Sequence, residues 1–303
     1  MSILVVGSVA LDSIKTPFGT RQDALGGSGT YFSVSASYFT QVNLVAVVGS
    51  DFPHKHITLL KRHDINLDGL QSVPGKTFRW KGQYTYDLNT AQTLDTQLNV
   101  FAQFKPSIPE KYKNSQYVFL GNIDPELQLE VLKQVKKPKL VACDTMNFWI
   151  SSKKKELIKT LRHVDILLIN EAEVRQLAEE QNLVKAARRI RSWGPQSLVI
   201  KRGEYGALFF NQEHIFSAPA LPLENILDPT GAGDSFAGGF MGYLAKCGEI
   251  SDKCLRRAIV FGSVMASFNV EDFSLGRLDG LSWPIIKKRF EQFKTLTHFE
   301  IVR

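Results

Sequence analysis

Little in this 303-residue sequence points to a secreted, membrane or metal-cluster protein. It holds only three cysteines, Cys143, Cys247 and Cys254, and none stands at CxxC spacing from another. That pattern argues against a structural zinc and predicts unpaired thiols in a reducing compartment. Cys143 lies in an apolar stretch and is expected in the core. Long hydrophobic runs are missing too. Ile3–Val6 is too short for a signal core or a membrane span, so a soluble cytoplasmic protein is expected. There is no internal repeat and no low-complexity linker.

Acidic charge is in modest deficit, with 37 Lys and Arg against 30 Asp and Glu, a net charge of +7. The surplus suits an anionic ligand, but it is scattered. Lys153–Lys155 and Arg188–Arg191 fall on expected helices and read as solvated faces. No recognition module accompanies them, which argues against a nucleic-acid partner. His54, His56 and His63 do not form a metal site: the first two share no helix face, and no thiol or carboxylate cluster joins them. With 44% hydrophobic residues the chain can bury a sizeable core, and its length suits one large domain or a large domain with a small appendage.

The informative stretch is Asp228-Pro-Thr-Gly-Ala-Gly-Asp234. Pro229 and the small residues after it turn the chain sharply. From Ser235 to Lys246, Phe236, Phe240, Tyr243 and Leu244 recur at helical spacing. Gly231, Ala232 and Gly233 therefore stand at a helix N-terminus, where free N–H groups bind anions such as phosphate. A carboxylate at Asp234 would repel such an anion. It could simply cap the helix. It could also take a proton from a hydroxyl while the amides hold the phosphoryl group under attack.

Asp228-x-Thr230-Gly231-Ala232-Gly233-Asp234 resembles the C-terminal signature of the ribokinase-like (PfkB) carbohydrate and nucleoside kinases, and the other main motifs follow in order over essentially the whole chain. The resemblance implies that Asp234 is the catalytic base and that the Gly231, Ala232 and Gly233 amides hold the transferring group. Asp12, just past the first strand, would hold acceptor hydroxyls. Gly26 and Gly27 would let the acceptor lie close to the backbone, and Ser28 beside them would face it as a further acceptor-binding residue. Relatives usually carry Asn where Tyr31 stands here, a departure that affects the acceptor site. Asn122 and Asn147 lie just past strand ends, where they could line the pocket or serve ordinary turns; Asn122 is counted with the acceptor. Asn170-x-x-Glu173 fits the family's Asn-x-x-Glu motif. Asn170 could cap the next helix; the resemblance implies nucleotide binding there and Mg2+ held by Glu173 through water. Lys201, Gly203 and Gly206 fall in a stretch that reads by itself as a β-turn and resembles the family's segment along the nucleotide, and residues 270–273 stand where relatives cover the adenine. Asp228 occupies a place where some relatives bind a monovalent cation, so K+ is a candidate.

Strands alternating with helices predict an α/β fold, a doubly wound, mostly parallel sheet flanked by helices. The whole of residues 1–303 would form one kinase domain. From residue 78 to 99 the rhythm breaks: Thr77–Tyr86 alternates aromatic and polar residues, as an antiparallel strand does, and Thr90–Asn99 is its candidate partner. About 12–25 and 78–101 together resemble the family's β lid, which would cover the acceptor and could join two copies in a homodimer. The expected reaction is transfer from ATP to a hydroxymethyl group of a sugar, or of a nucleoside as the alternative. A dinucleotide-dependent oxidoreductase fits less well, since the first strand lacks a G-x-G-x-x-G turn. A catalytically silent sugar or nucleotide sensor is countered by Asp234.

Overall fold

The computed structural model describes residues 1–298 and 300. The central strands of its larger sheet are short and apolar, and they are buried on both faces. In β1 (Ser2–Val6), Ile3 and Val5 enter one hydrophobic cluster while Leu4 and Val6 enter a second. Only a sheet covered on both sides demands that pattern. After β1 come β2 (Ala10–Thr16) and β3 (Gly19–Gly26), then β4 (Gln41–Gly49) and β5 (Asn66–Val73). The next pair, β6 (Phe78–Tyr84) and β7 (Ala91–Gln97), precedes β8 (Tyr117–Leu120), β9 (Leu140–Asp144), β10 (Ile166–Asn170) and β11 (Ser197–Lys201). Two last strands, β12 (Ala207–Phe210) and β13 (Ile215–Ala218), complete the set.

Nine strands form the large sheet in the order β13-β12-β11-β10-β9-β8-β1-β4-β5, parallel except for β12 and β13. The helices in chain order are α1 (Ser28–Ser37), α2 (His54–Arg62), α3 (Pro125–Gln134), α4 (Asn147–Ser152), α5 (Lys154–Leu161), α6 (Glu171–Ala178), α7 (Leu183–Arg191), α8 (Ala232–Cys247), α9 (Asp252–Asn269) and α10 (Trp283–Thr297). Residues of α1, α8, α9 and α10 share one cluster, and those of α3, α5, α6 and α7 share the other. The doubly wound expectation therefore holds. Strand β5 and the terminal hairpin strand β13 carry weak alternation and were not anticipated.

The second sheet has four strands, ordered β3-β2-β6-β7. It pairs the two segments expected to form the lid, with β2 parallel to β6. Its second segment ends as strand at Gln97. Residues 99–103 turn into a short helical coil, where Phe101 stacks between Phe78 and Phe104 and ties the hairpin to the core. Asp51, after β4, accepts bonds from the Thr77 amide and hydroxyl and pairs with Arg79, so the lid's root is fixed to the large sheet. All seven residues of β7 are exposed, at the edge of this sheet.

One expectation is overturned. Cys247 and Cys254 are joined as a disulfide across the α8–α9 turn, while Cys143 is free and buried. The CxxC test missed the pair because the turn around Gly248 folds a seven-residue separation back on itself. No helix among the described residues is long and apolar enough to cross a membrane.

Candidate active site

Chain ends of the parallel strands converge on one rim of the large sheet. Asp144 closes β9, Asn170 closes β10 and Lys201 closes β11. The N-terminus of α8 meets them there, since Lys201 Nζ lies 3.0 Å from where a Cβ on Gly233 would be. Open parallel sheets bind ligands at this rim.

The turn into α8 is tightly built. Helix α8 begins three residues earlier than its apolar periodicity indicates, with Gly231 as its N-cap at φ 76°. A side chain there would be strained and would also run into the Tyr31 ring, which lies against this glycine. Asp228 is fully buried; its oxygens accept from the Thr230 and Ser274 amides. Asn269, which sequence reasoning missed, donates to the Thr230 carbonyl and accepts from Ser235 Oγ. These bonds hold residues 230–235 in one shape. The Ala232 amide is spent on the Pro229 carbonyl, so of the three expected anion donors it is tied into the turn.

On one side of Asp234 the polar groups satisfy each other. Lys201 Nζ donates to Asp144 Oδ2 at 2.8 Å, with side chains 16% and 5% exposed. Sequence reasoning missed Asp144. Its place at a strand's C-terminal end was the signal that could have marked it. Asn170 accepts from the Glu173 amide, and Glu173 accepts from the Asn170 amide, a reciprocal capping box. The capping and ligand-binding readings of this motif thus occupy the same atoms. Arg202 pairs with Glu171. Burial pushes the Glu173 carboxyl up to about 7, aided by Asp144 and opposed by Lys201. Burial and Asp144 also push Asp234 up to about 7, against Lys201. Burial works against the charge on Lys201, but the surrounding Asp144 and Glu173 outweigh it and raise its pKa.

The other side is different. Asp12 is 4% exposed on β2, and its carboxylate fills the space that a side chain on Gly26 would need. Burial pushes it up to about 7; the Gly27 amide opposes this, while Asp228 and Asp234 add to it. Asp12 Oδ1 and the Tyr31 hydroxyl are both buried and have no hydrogen-bond partner. Tyr84, from the lid, accepts a bond from Thr230 Oγ1 at 3.3 Å. Trp80, registered beside Asp12 on the neighbouring strand, lies over Gly82 and donates to Thr93.

Some expected site residues have structural partners instead. Ser28 Oγ is bonded to Ser8, so it braces the β1–α1 junction and offers no free hydroxyl. Asn122 accepts from Trp149 Nε1 and donates to Met146 Sδ, which orients the loop after β9. Gly206 packs on the Ala218 carbonyl in the β11–β12 turn, and Gly203 faces Asn89 at the lid's tip. Phe273 was expected near the base of the nucleotide. It is buried against Gly19 and under Arg21 of the lid, and Glu271 is paired with Arg289.

The family model for the pfkB family carbohydrate kinases matches residues 3–278. The chain belongs to that family. It is a kinase, a phosphotransferase with an alcohol acceptor group. It is similar to a cytidine kinase of Thermococcus kodakarensis, 31% identical over 84% of this chain and 92% of that protein. Among solved structures, the Burkholderia thailandensis nucleoside kinase in complex with inosine shares the fold at a TM-score of 0.79. That match has 17% identity and covers 96% and 97% of the two chains. An E. coli protein described as ribokinase II, in complex with ATP and Mg2+, matches at 0.77 and 17% identity over 96% and 99%. In this pfkB-family chain the signature at 228–234 and the strand ends at 144, 170 and 201 share one rim, with the lid's Tyr84 reaching it.

Proposed function

We propose that this pfkB-family kinase transfers the γ-phosphoryl group of ATP to the hydroxymethyl group of a nucleoside, with a free sugar as the second reading. The observation that carries it is the pairing, across one rim, of an anion-binding helix start with the buried acceptors and donors of Asp12 and Tyr31. The similarity to a cytidine kinase and to a nucleoside kinase that binds inosine favours the nucleoside. A match to a ribokinase of Lactococcus lactis keeps the sugar in play.

In this reading residues 1–303 act as one kinase domain with the β2-β3-β6-β7 lid inserted in it. Asp234 takes the acceptor's proton, which requires its ionised form. A carboxyl raised to about 7 is well matched to that task at neutral pH. The Gly231 and Gly233 amides and the α8 N-terminus stabilise charge on the transferring group, as does Lys201 beside Gly233. Lys201, Gly203 and Gly206 lie along ATP, with ADP as product. Asp144, Glu173 and Asp234 outnumber Lys201, and this surplus of buried negative charge fits a divalent cation. Magnesium would neutralise phosphate charge there, held by Glu173 through water beside Asn170. Asp228 is a buried carboxylate whose oxygens each keep a lone pair beyond the amides they hold, so K+ suits that side of the turn. Asp12, Gly26 and Gly27 line the acceptor, Ser28 supports them, and Asn122 shapes the far wall. The exposed β7 edge suits pairing of two lids in a homodimer, and no nucleic acid or membrane partner is proposed.

A panel of nucleosides and sugars with Mg-ATP, read out by acceptor-dependent ADP release, tests this. Turnover of a nucleoside above any free sugar is expected. Turnover of free sugars alone would move the assignment to the second reading, and acceptor-independent ATP binding without transfer would overturn both.

A further inference from the structure

The short turn between α8 and α9 gathers three side chains that can ligate a metal. Cys247 ends α8, Glu249 lies in the turn and Cys254 stands in the first turn of α9. One ligand atom from each, two sulfurs and a carboxylate oxygen, all lie within 4.8 Å of one another. Cys254 is buried, Cys247 half-buried and Glu249 exposed, so the group opens to solvent on one side. It is remote from the kinase signature. Helix α8 has 16 residues, which sets its two ends about 24 Å apart.

The disulfide does not account for Glu249. Its Oε1 lies 3.4 Å from Cys254 Sγ and accepts a bond from Ser251 Oγ at 2.9 Å. A disulfide sulfur has no proton to give, so the oxidised pair offers nothing to a carboxylate held there. Beside two thiolates the same carboxylate would be repelled unless a cation lay between them. Ser251 Oγ also accepts from the Cys254 amide, so one side chain orients two of the three donors. Asp252 next to them is already paired with His214 and Arg256. The Cα atoms of Cys247 and Cys254 are 6.7 Å apart, near the upper end of the range for bridged cysteines. Two sulfurs that share one tetrahedral zinc at about 2.3 Å sit roughly 3.8 Å from each other. A pair this widely set can open to that span once its bond is broken.

We propose that the reduced chain binds one thiophilic divalent cation, zinc by its chemistry, between Cys247 Sγ, Cys254 Sγ and a Glu249 carboxylate oxygen, with water in the fourth position. Disulfide and metal are then alternative states of one clasp on the α8–α9 turn. Exchange with a dithiol breaks the S–S bond: the two protein sulfurs gain two electrons and two protons, and the reductant leaves as a disulfide. Binding the cation releases the two thiol protons to solvent. Two thiolates and one carboxylate around a divalent cation leave one net negative charge, which the positive end of α9 favours. Thiolate donors select such a cation over Mg2+, which keeps to oxygen. Cys143 cannot replace either sulfur, because it is buried in β9 and its thiol is raised by burial and by Asp144.

The test titrates Cd2+, as a spectroscopic probe for zinc, into the full chain after reduction with a dithiol and removal of that dithiol under inert gas. The ultraviolet thiolate-to-metal absorption is followed. One Cd2+ per reduced chain is expected, displaced by Zn2+ and not by Mg2+, with no such absorption in the oxidised chain. Reduced Cys247→Ser should bind at least about tenfold more weakly and show about half the absorption, and Glu249→Gln should weaken binding by about tenfold, since even indirect supports of a metal site carry that much. A reduced wild type without one-to-one absorption overturns the proposal. So does undiminished absorption in Cys247→Ser, which would put the ion on another sulfur. Unchanged affinity in Glu249→Gln, a change at an exposed position, removes the carboxylate and with it the three-donor site. A disulfide that no dithiol opens in the folded chain also overturns it. Phosphotransfer enters none of these readouts, so the outcome is independent of the kinase reading.

Discussion

The two halves of the site handle buried polarity in opposite ways. On the side of the proposed nucleotide site the polar groups are bonded within the protein, Lys201 to Asp144, Arg202 to Glu171 and Asn170 to Glu173, although Asp144, Glu173 and Asp234 together outnumber Lys201. On the acceptor side Asp12 Oδ1 and the Tyr31 hydroxyl wait unpaired. A self-satisfied half keeps its shape when empty and must exchange bonds to admit a ligand. An unsatisfied half is costly when empty and gains from any ligand that completes it. In the proposed reading ATP therefore exchanges bonds with a half that already holds its shape, while selectivity is concentrated where the protein leaves its own groups unpaired.

The largest expected break lies at the junction of the two halves. Asp234→Asn keeps the shape of the side chain but cannot accept a proton, so kcat should fall by about a thousandfold. ATP affinity, followed by titration calorimetry, should hardly change. In the wild type the same group sets the acid limb: kcat/KM should fall as pH drops through about 7, because the protonated carboxyl cannot act as base. A flat profile between pH 8 and 5 would remove Asp234 from that role.

Stability separates the halves next. Asp144→Asn leaves Lys201 largely buried without its partner and should destabilise the fold by roughly 3 kcal/mol in denaturant titrations. Asp12→Asn should do the reverse in the empty protein. Asp12 has a folded pKa of about 7 against an ordinary 3.8, so its contribution is fully present below pH 4 and lost as pH rises through 7. The variant should therefore melt higher than the wild type at pH 8, and the gap should close toward pH 4. Acceptor KM should meanwhile rise more than about tenfold. A loss of stability at pH 8 would mean that Asp12 braces the lid, not the ligand.

The smallest expected effect is in the lid. Tyr84 meets Thr230 and Asn89 meets Gly203, so the hairpin touches both halves. Acceptor should slow hydrogen exchange across residues 78–97, and ATP alone should slow it mainly near Asn89. Identical protection with and without both ligands would leave the hairpin a surface or pairing element.

How much of this was legible in advance varied with the physics involved. Ile3–Val6, Leu44–Val48 and Ile166–Ile169 announce buried strands because every position is apolar. The signature at 228–234 and the Asn170–Glu173 pair are local in sequence and could be read directly. Strand β6 was legible from its alternation of aromatic and polar residues, whereas β7, exposed along its whole length, could be expected only as its partner. What escaped were partnerships between distant segments. Nothing near Asp144 reveals that Lys201 will sit beside it, and Asn269 gains its role only when α9 brings it back to Thr230. Ser28 was expected to face the ligand, yet its hydroxyl turns to Ser8, twenty positions away. The disulfide was missed for a related reason: the turn geometry, not the spacing alone, brings Cys247 to Cys254.

The central proposal is that this rim carries a phosphoryl group from ATP to the hydroxymethyl group of a nucleoside. Its most direct test is phosphorus NMR of the product formed from a ribonucleoside and Mg-ATP, run in parallel with the wild type and Asp234→Asn. The account predicts a single 5-phosphate monoester with the wild type and none above background with the variant. A product esterified at a ring hydroxyl, or equal product from the two proteins, would contradict it.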